Sequence, residues 1–400
     1  MVPHTIAIIG GGPAGSRSAE TLAQGWGLRH RANGAHRVLI FEERIGWEKP
    51  CGGGLTHKGL ARYPFLAEAS EGGKLVHDVE LLAPTGEAVR FHLRLPMAIY
   101  SRAVLNRLLL RRAEEAGAEL VADRILAMRR ASSGWELQGR ARTYHADFVV
   151  LAAGARTRLR QELAEDFTPG DFMLTFGYYL PGYSDLVRVQ FYKEFEGYAW
   201  AFPRRDHLSV GICGKVGEDR MTGLRERLMA FMQKFGLAPD QGQVFSHLLP
   251  ALSILGWGKL QLAGQGWALA GDSAGLVDPV TGEGIYYALR SGEILAETLL
   301  EGFPEAYPES VWEEFGHALA LGARLARLFY YGNFLGGGVT ARMVEFGARS
   351  ERLLEVVEDL VEGSQSYLGL TGRLCQGMAH VLLDTGRGLW RERFERPDVT

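Results

Sequence analysis

The chain opens on an unbroken apolar run, Thr5-Ile6-Ala7-Ile8-Ile9, and changes at once to glycine in Gly10-Gly11-Gly12-Pro13-Ala14-Gly15. Such a β-branched run without alternation predicts a strand buried on both faces. The small residues from Ala14 to Ala23, with Ala19 on the same face, predict a helix directly behind it. Arg37-Val38-Leu39-Ile40-Phe41 is a second strand of this kind. Ser101 to Gly117 reads as a helix with an N-cap serine, leucines at 105, 108 and 109 and a glycine stop, followed by the strand Glu119-Leu120-Val121. Phe148-Val149-Val150-Leu151 runs into Ala152-Ala153-Gly154, and Trp267-Ala268-Leu269-Ala270 is a last core strand, ending at Gly271-Asp272.

Between these segments the period changes to two. Val79 to Leu82 and Ala88 to Phe91, broken by Pro84-Thr85-Gly86, predict a hairpin. From Phe172 to Cys213, with strands at Leu186–Phe191 and Leu208–Gly211, a separate antiparallel sheet is expected, followed by an amphipathic helix from Gly223 to Phe235. Beyond Glu283 the pattern is helical, with long stretches at Val311–Phe334, Ala341–Glu362 and Tyr367–Phe394. The expected fold is α/β, or α+β overall. A discontinuous Rossmann-like domain takes 1–75, 96–165 and 257–300, a β-rich substrate domain 76–95 and 166–256, and a C-terminal helical region 301–400.

Four hundred residues, 46% hydrophobic and 23% charged, suit an ordinary soluble protein with two domains. A net charge of -3 with arginines scattered among acids gives no footprint for nucleic acid. The first strand at Thr5 leaves no room for a secretory leader, and no window reaches the ~18 apolar residues of a membrane span, so the expected location is the cytoplasm. Cys51, Cys213 and Cys375 show no paired spacing, and the histidines no ligand spacing, so no metal is expected.

The glycines carry the first chemistry. Gly10 permits the turn, Gly12 lets backbone approach a pyrophosphate, Gly15 lets helix and strand pack closely, and the helix start at Pro13 and Ala14 offers amides to phosphates. Glu42 and Glu43, ending the second strand, are placed for the ribose hydroxyls. Gly25 to His36 is longer than the motif expects and reads as a polar insertion. Gly154 brings backbone to the same side of the sheet. Asp272 is placed to accept from a polyol hydroxyl, and the turn through Pro279, Gly282, Gly284 and Ile285 presents a positive helix end to an electron-rich ring edge. The two glycine signatures together describe the two ends of one bound FAD.

At these residues the chain resembles a family, the FAD-dependent oxidoreductases of the para-hydroxybenzoate hydroxylase and glutathione reductase-2 type, and within them the geranylgeranyl reductases. Lys49-Pro50-Cys51-Gly52-Gly53-Gly54-Leu55-Thr56 looks like the family's cysteine–glycine loop beside the flavin, and Tyr198-Ala199-Trp200-Ala201-Phe202-Pro203 like its YxWxFP substrate motif. Thr281-Gly282-Glu283-Gly284-Ile285-Tyr286-Tyr287 looks like the flavin loop of its chlorophyll branch, and Arg102 fits the cofactor-contacting arginine. The likeness spans residues 5 to 300. Two departures stand out: Gly211-Ile212-Cys213 where archaeal lipid reductases have GxG, and Glu283 where their flavin loop often has a third glycine.

The resemblance implies catalysis at Cys51, Gly52 and Gly53 and a substrate slot at Tyr198, Trp200, Phe202 and Pro203. The residues themselves agree in part. Tyr198, Trp200 and Phe202 alternate with alanines, so all three face one side of a strand, as an apolar slot or a plain core stripe requires. The Cys51 thiol is placed to tune a flavin, position substrate or supply a proton; a merely buried small side chain is equally consistent. Trp47 and Glu48 fit the rim of the entrance, His57 reads as an ordinary surface or hydrogen-bonded residue in preference to a general acid, and Cys213 and Cys375 as structural. The expected reaction is hydride transfer from FAD to double bonds of an apolar prenyl chain on a lipid, quinone or tetrapyrrole. A hydroxylase, a halogenase and a non-catalytic flavoprotein are the competing readings. With no second glycine fingerprint, the electron donor is NAD(P)H at a transient site or a ferredoxin. The stripe Leu353, Val356, Val357, Leu360 and Val361 suits a pocket wall or peripheral membrane contact, and the acidic opposite face favours the pocket.

Overall fold

The computed structural model describes residues 3–27, 36–68, 72–217, 221–374 and 376. The chain opens with β1 (Thr5–Ile9), α1 (Pro13–Gly25), β2 (Arg37–Phe41), β3 (Gly54–Leu55), α2 (His57–Arg62), α3 (Phe65–Glu68), β4 (Lys74–Leu82) and β5 (Ala88–Ile99). It continues with α4 (Arg102–Ala116), β6 (Glu119–Val121), β7 (Ile125–Arg130), β8 (Trp135–Gly139), β9 (Thr143–Ala146) and β10 (Phe148–Leu151). Then come β11 (Phe172–Pro181), β12 (Leu186–Phe191), β13 (Gly197–Pro203), β14 (His207–Lys215), α5 (Met221–Lys234) and β15 (Gln243–Pro250). The remainder is α6 (Ile254–Gly258), β16 (Ala263–Gly264), β17 (Trp267–Leu269), α7 (Ile285–Glu301), α8 (Tyr307–Val311), α9 (His317–Tyr331), β18 (Asn333–Phe334), β19 (Gly337–Gly338), α10 (Val339–Arg349) and α11 (Glu351–Glu362).

The apolar runs without alternation build one sheet, in the order β16-β17-β10-β1-β2-β6, parallel except at the β16 edge. Its central strands are buried on both faces, as their composition dictates. One face is covered by α1 and α7, which touch almost backbone to backbone: a Cβ at Gly292 would lie 2.2 Å from the Ala14 carbonyl oxygen, and Ser18 Oγ donates to the Gly292 carbonyl at 2.8 Å.

The alternating segments build a second sheet, β15-β11-β14-β13-β12-β4-β5-β3. It corrects the antiparallel expectation at one place, because β12 runs parallel to β4. The short β3 pairs with β5, so the cysteine–glycine loop ends inside this sheet. On β13, Ala199 and Ala201 pack against Leu224, Leu228 and Phe231 of α5, while Tyr198, Trp200 and Phe202 face the other way. A small third sheet, β7-β8-β9, has no counterpart in the sequence reading.

The helical end is more broken than its periodicity implied. The Val311–Phe334 stretch is α8, a π-helical turn at Trp312–Gly316, and α9, which stops at Tyr331 before Asn333–Phe334 pair as β18. The Ala341–Glu362 stretch breaks at Ser350, whose extended backbone (φ -140, ψ 114) separates α10 from α11 and whose hydroxyl caps α11 at Leu353 N. Cys375, most of the expected Tyr367–Phe394 helix and most of the Gly25–His36 insertion lie outside the described residues.

Candidate functional site

One cavity of ≈ 1110 Å³ runs from the β1–α1 glycine loop, past the cysteine–glycine loop, into a chamber between the second sheet and α9–α11. The glycine loop is shaped by close approach. Gly10 has φ +109, and a Cβ there would meet the Ala152 carbonyl oxygen at 2.5 Å; at Gly15 it would meet the Gly10 oxygen at 2.0 Å. At Gly12 and Gly154 a Cβ would meet nothing within 4 Å, because both positions open onto the cavity. The α1 N-terminus has no side-chain cap, which leaves its amides available to an anion.

Glu42, at the end of β2, accepts from Gly11 N at 3.0 Å and Arg44 N at 2.8 Å, and this fixes its carboxylate beside the glycines. Glu43 also lines the cavity but is tied to Arg140 and, at 3.8 Å, to Arg124. Arg102 lines the cavity with Nε buried and without a partner. Asp272 is paired with Lys49, Nζ to Oδ2, at 2.5 Å. Burial pushes this carboxyl up, the ammonium and Arg102 pull it down, and it stays below its usual range. His247, beside the pair, is driven down to about 3 by burial and then by Lys49; its Nε2 is buried without a partner. It is neutral at physiological pH.

These unmet donors, the free helix amides and the open glycines fit a dinucleotide laid from the glycine loop to Asp272. Among the residues expected to hold it, Gly10, Gly12, Pro13, Ala14, Glu42, Glu43, Arg102, Gly154, Asp272, Gly282, Gly284 and Ile285 line the cavity. Gly15 and Gly271 act beneath the surface instead: Gly271 (φ +59) packs on Ala14 and Ala288. Pro279 does not line the cavity and packs against Gly322 of α9.

The cysteine–glycine loop is bolted into place by Arg204 and Ser209, to which the sequence reading gave no role, and by Glu48, which it placed at the rim. The Cys51 carbonyl accepts from Arg204 Nη2 at 2.7 Å and Ser209 Oγ at 3.0 Å. Arg204, 1% exposed, also pairs through Nη1 with Glu48 at 2.7 Å. Glu48 in turn takes the N-terminal amides of α4, Arg102 N at 2.8 Å and Ala103 N at 3.1 Å, and the Ser101 hydroxyl. The expected serine cap is thus replaced by a carboxylate from a distant loop, and Glu48 is no rim residue. Gly53 (φ +88) would place a Cβ 2.1 Å from the Tyr100 oxygen, and its amide donates to Cys51 Sγ at 3.3 Å. A Cβ at Gly52 would meet the Phe202 ring at 2.9 Å, so this loop lies directly on the aromatic strand.

Tyr198, Trp200 and Phe202 all line the chamber; Pro203, one step out of phase, is buried and is not among the lining residues. Gly211 is needed opposite Trp200, since a Cβ there would lie 2.4 Å from the indole. Cys213, opposite Tyr198, also lines the chamber, and burial pushes its thiol up to about 12. The far walls are Val187, Val189 and Phe191 on β12, Phe329 and Met343 on α9 and α10, and Val357, Leu360 and Val361 on α11. Three residues of the α11 stripe therefore line the cavity, Leu353 and Val356 are buried without lining it, and Asp359 and Glu362 on the acidic side meet Arg94 of β5. Among the described residues no helix is long and apolar enough to cross a membrane.

No family model matches the chain. It is 28% identical over 333 residues to the chloroplastic geranylgeranyl diphosphate reductase of Arabidopsis thaliana, covering 74% of this chain and 66% of that protein. The chain thus spans just under two thirds of the length of that plant relative. It is 26% identical over 378 residues to the menaquinone reductase of Mycobacterium tuberculosis, covering 82% of this chain and 85% of that one. In fold it is similar to a geranylgeranyl bacteriochlorophyll reductase-like protein from Thermoplasma acidophilum, with a TM-score of 0.73, 19% identity and coverage of 93% and 99%. With the glycine loop, the cysteine–glycine loop and the aromatic strand meeting on one cavity, these likenesses lead to one conclusion: the chain is similar in sequence and fold to the geranylgeranyl reductases among the FAD-dependent oxidoreductases.

Proposed function

We propose that this protein binds FAD and reduces carbon–carbon double bonds of an isoprenoid chain carried on a lipid, quinone or tetrapyrrole. The observation that carries this reading is the continuity of the cavity: the nucleotide end and the apolar chamber meet at Cys51-Gly52-Gly53. A prenyl chain has no polar handle, so it needs a shaped apolar slot that presents the alkene at van der Waals distance to the redox centre. The chamber has that character, with aliphatic walls and the aromatic side chains of β13. Once bound and reduced, FAD would supply the hydride. The chain's own groups bind and orient: the α1 amides and Glu42 toward the nucleotide, Asp272 toward the polyol, and the α7 N-terminus toward the ring. The roles of Cys51, Gly52 and Gly53 as catalytic residues, and of Tyr198, Trp200 and Phe202 as substrate wall, belong to this proposal, as does an electron donor of NAD(P)H or ferredoxin type.

The test is a reduced, anaerobic protein mixed with geranylgeranyl diphosphate or a polyprenyl quinone. Reoxidation of the flavin without oxygen, with a saturated product by mass spectrometry, is the expected result. Reoxidation only when oxygen is admitted, with a hydroxylated product, would move the protein to the monooxygenases of the same fold. A preparation that holds no flavin would end both readings.

A further inference from the structure

Reducing an alkene takes a hydride and a proton, and most ionisable groups on the chamber wall have their protons committed. The Tyr198 hydroxyl donates to the Thr281 carbonyl, and the Tyr367 hydroxyl reaches both oxygens of Asp278 at 2.8 and 2.9 Å. The Cys213 thiol points to the Tyr198 carbonyl at 3.7 Å. Glu314 is paired with Arg290, which donates to its two oxygens at 2.5 and 2.6 Å.

Glu283 differs. It sits between Gly282 and Gly284 at the start of α7, lines the cavity, and accepts from Thr56 Oγ1 at 2.8 Å. Among the described residues Thr56 is the one hydrogen-bonding partner of its carboxyl, which forms no ion pair. Thr56 closes the cysteine–glycine loop, so this carboxyl stands where the two loops flanking the cofactor region meet. The titratable groups that act on it directly are Lys58 on α2, Asp278 in its own loop, and Tyr286 and Tyr287 on α7; Glu314 in the π-helical turn acts on Lys58, and Tyr367 beyond α11 on Asp278. Burial raises its affinity for a proton and Asp278 adds to this; Thr56 and Lys58 oppose, and the balance is upward. Lys58 lies over the Tyr286 ring at 4.1 Å, and among the described residues no carboxylate is in ion-pair contact with it.

We propose that Glu283 is a catalytic acid of this site, delivering a proton to one alkene carbon while the other receives the hydride, with Lys58 steadying the carboxylate left behind. The proposal rests on the reductase reading. Two C–H bonds form and one π bond breaks; the alkene gains the two electrons that the reduced flavin loses. Glu283 gives up its O–H proton, which solvent restores.

The experiment uses the full chain with FAD and compares wild type, E283Q and T56V. In anaerobic single turnover, E283Q should slow reoxidation by the prenyl substrate about 10²-fold or more, the usual weight of a positioned acid, with flavin absorption and FAD affinity within twofold. Infrared difference spectra of wild type against E283Q, without substrate, should show a carboxylic-acid carbonyl band at neutral pH that shifts in D2O. Wild-type reoxidation should fall as pH rises through the acid's pKa. T56V, which removes a bond favouring the ionised form, should move that limb upward. A rate for E283Q within threefold of wild type, or no protonated-carboxyl band, overturns the proposal while leaving the reductase reading intact. Should E283Q fail to hold FAD, an unmoved limb in T56V overturns it equally. Wild type that no prenyl substrate reoxidises ends the reductase reading, and this proposal with it.

Discussion

Arg204 shows how much of this site hangs on single residues far apart in sequence. Its guanidinium holds the Cys51 carbonyl and Glu48, and Glu48 holds the first amides of α4. Removing it leaves a carboxylate that is one-quarter exposed without its partner. Unpairing a fully buried ion costs about 3–5 kcal/mol, so with Glu48 partly solvated R204M should cost about 2–4 kcal/mol in urea denaturation, and R204K less. At Gly53 the constraint is backbone: G53A combines φ +88 with a Cβ 2.1 Å from the Tyr100 oxygen. It should cost at least ~1–3 kcal/mol and lower flavin occupancy, read as the ratio of flavin to protein absorbance. The glycines were legible from sequence because each sits beside a strand end, where only a few turns exist. Arg204, Glu48 and Lys49 were not, because their partners lie more than fifty residues away and no local pattern marks them.

At the scale of elements, α1, α2 and α7 are joined by one buried carboxylate. Glu293 accepts from Arg17 at 2.5 Å, Arg290 at 2.7 Å, Arg62 at 3.0 Å and the Tyr63 hydroxyl at 3.0 Å. Burial alone pushes its carboxyl up, but the arginines overcome this and bring it down to about 2, from an ordinary value of 4.5. A folded-state value below the unfolded one stabilises the fold above pH 4.5 and ceases to do so as pH falls toward 2. The urea midpoint of wild type should therefore drop across that window, and E293Q should be weaker at pH 7 with a flatter descent. Strands and helices of the nucleotide-binding sheet were readable because buried parallel strands are continuous apolar runs. The β7–β9 sheet was missed because its strands are short and β7 does not alternate: Ile125 and Met128 are buried while Leu126, Ala127, Arg129 and Arg130 are exposed. The break at Ser350 was missed because an α-helical period runs on through it while the backbone does not.

For the whole molecule, the decisive arrangement is a helical region laid over the second sheet to close a chamber against the first. Filling that chamber should separate its two ends. M343W on α10 should raise the concentration of prenyl substrate needed for reoxidation at least tenfold, with FAD affinity by fluorescence titration within twofold, because Met343 lies on the apolar wall away from the glycine loop. The chain also crosses between its sheets in a way that sets an order of events. β17 is the strand that covers the β10 edge, and α7 is the helix that fills the groove over Ala14 and Ser18. Both follow the entire second sheet along the chain. Until both are made, the sheet that reads as the first domain carries an open edge of hydrogen-bonding groups and a helix with a bare, glycine-fitted face, the features that invite pairing with another chain. A fragment ending at residue 165 should aggregate, whereas one extending through 301 should have the nucleotide-binding sheet complete. In synthesis, the binding loop that emerges first has to wait for the last strand of its sheet.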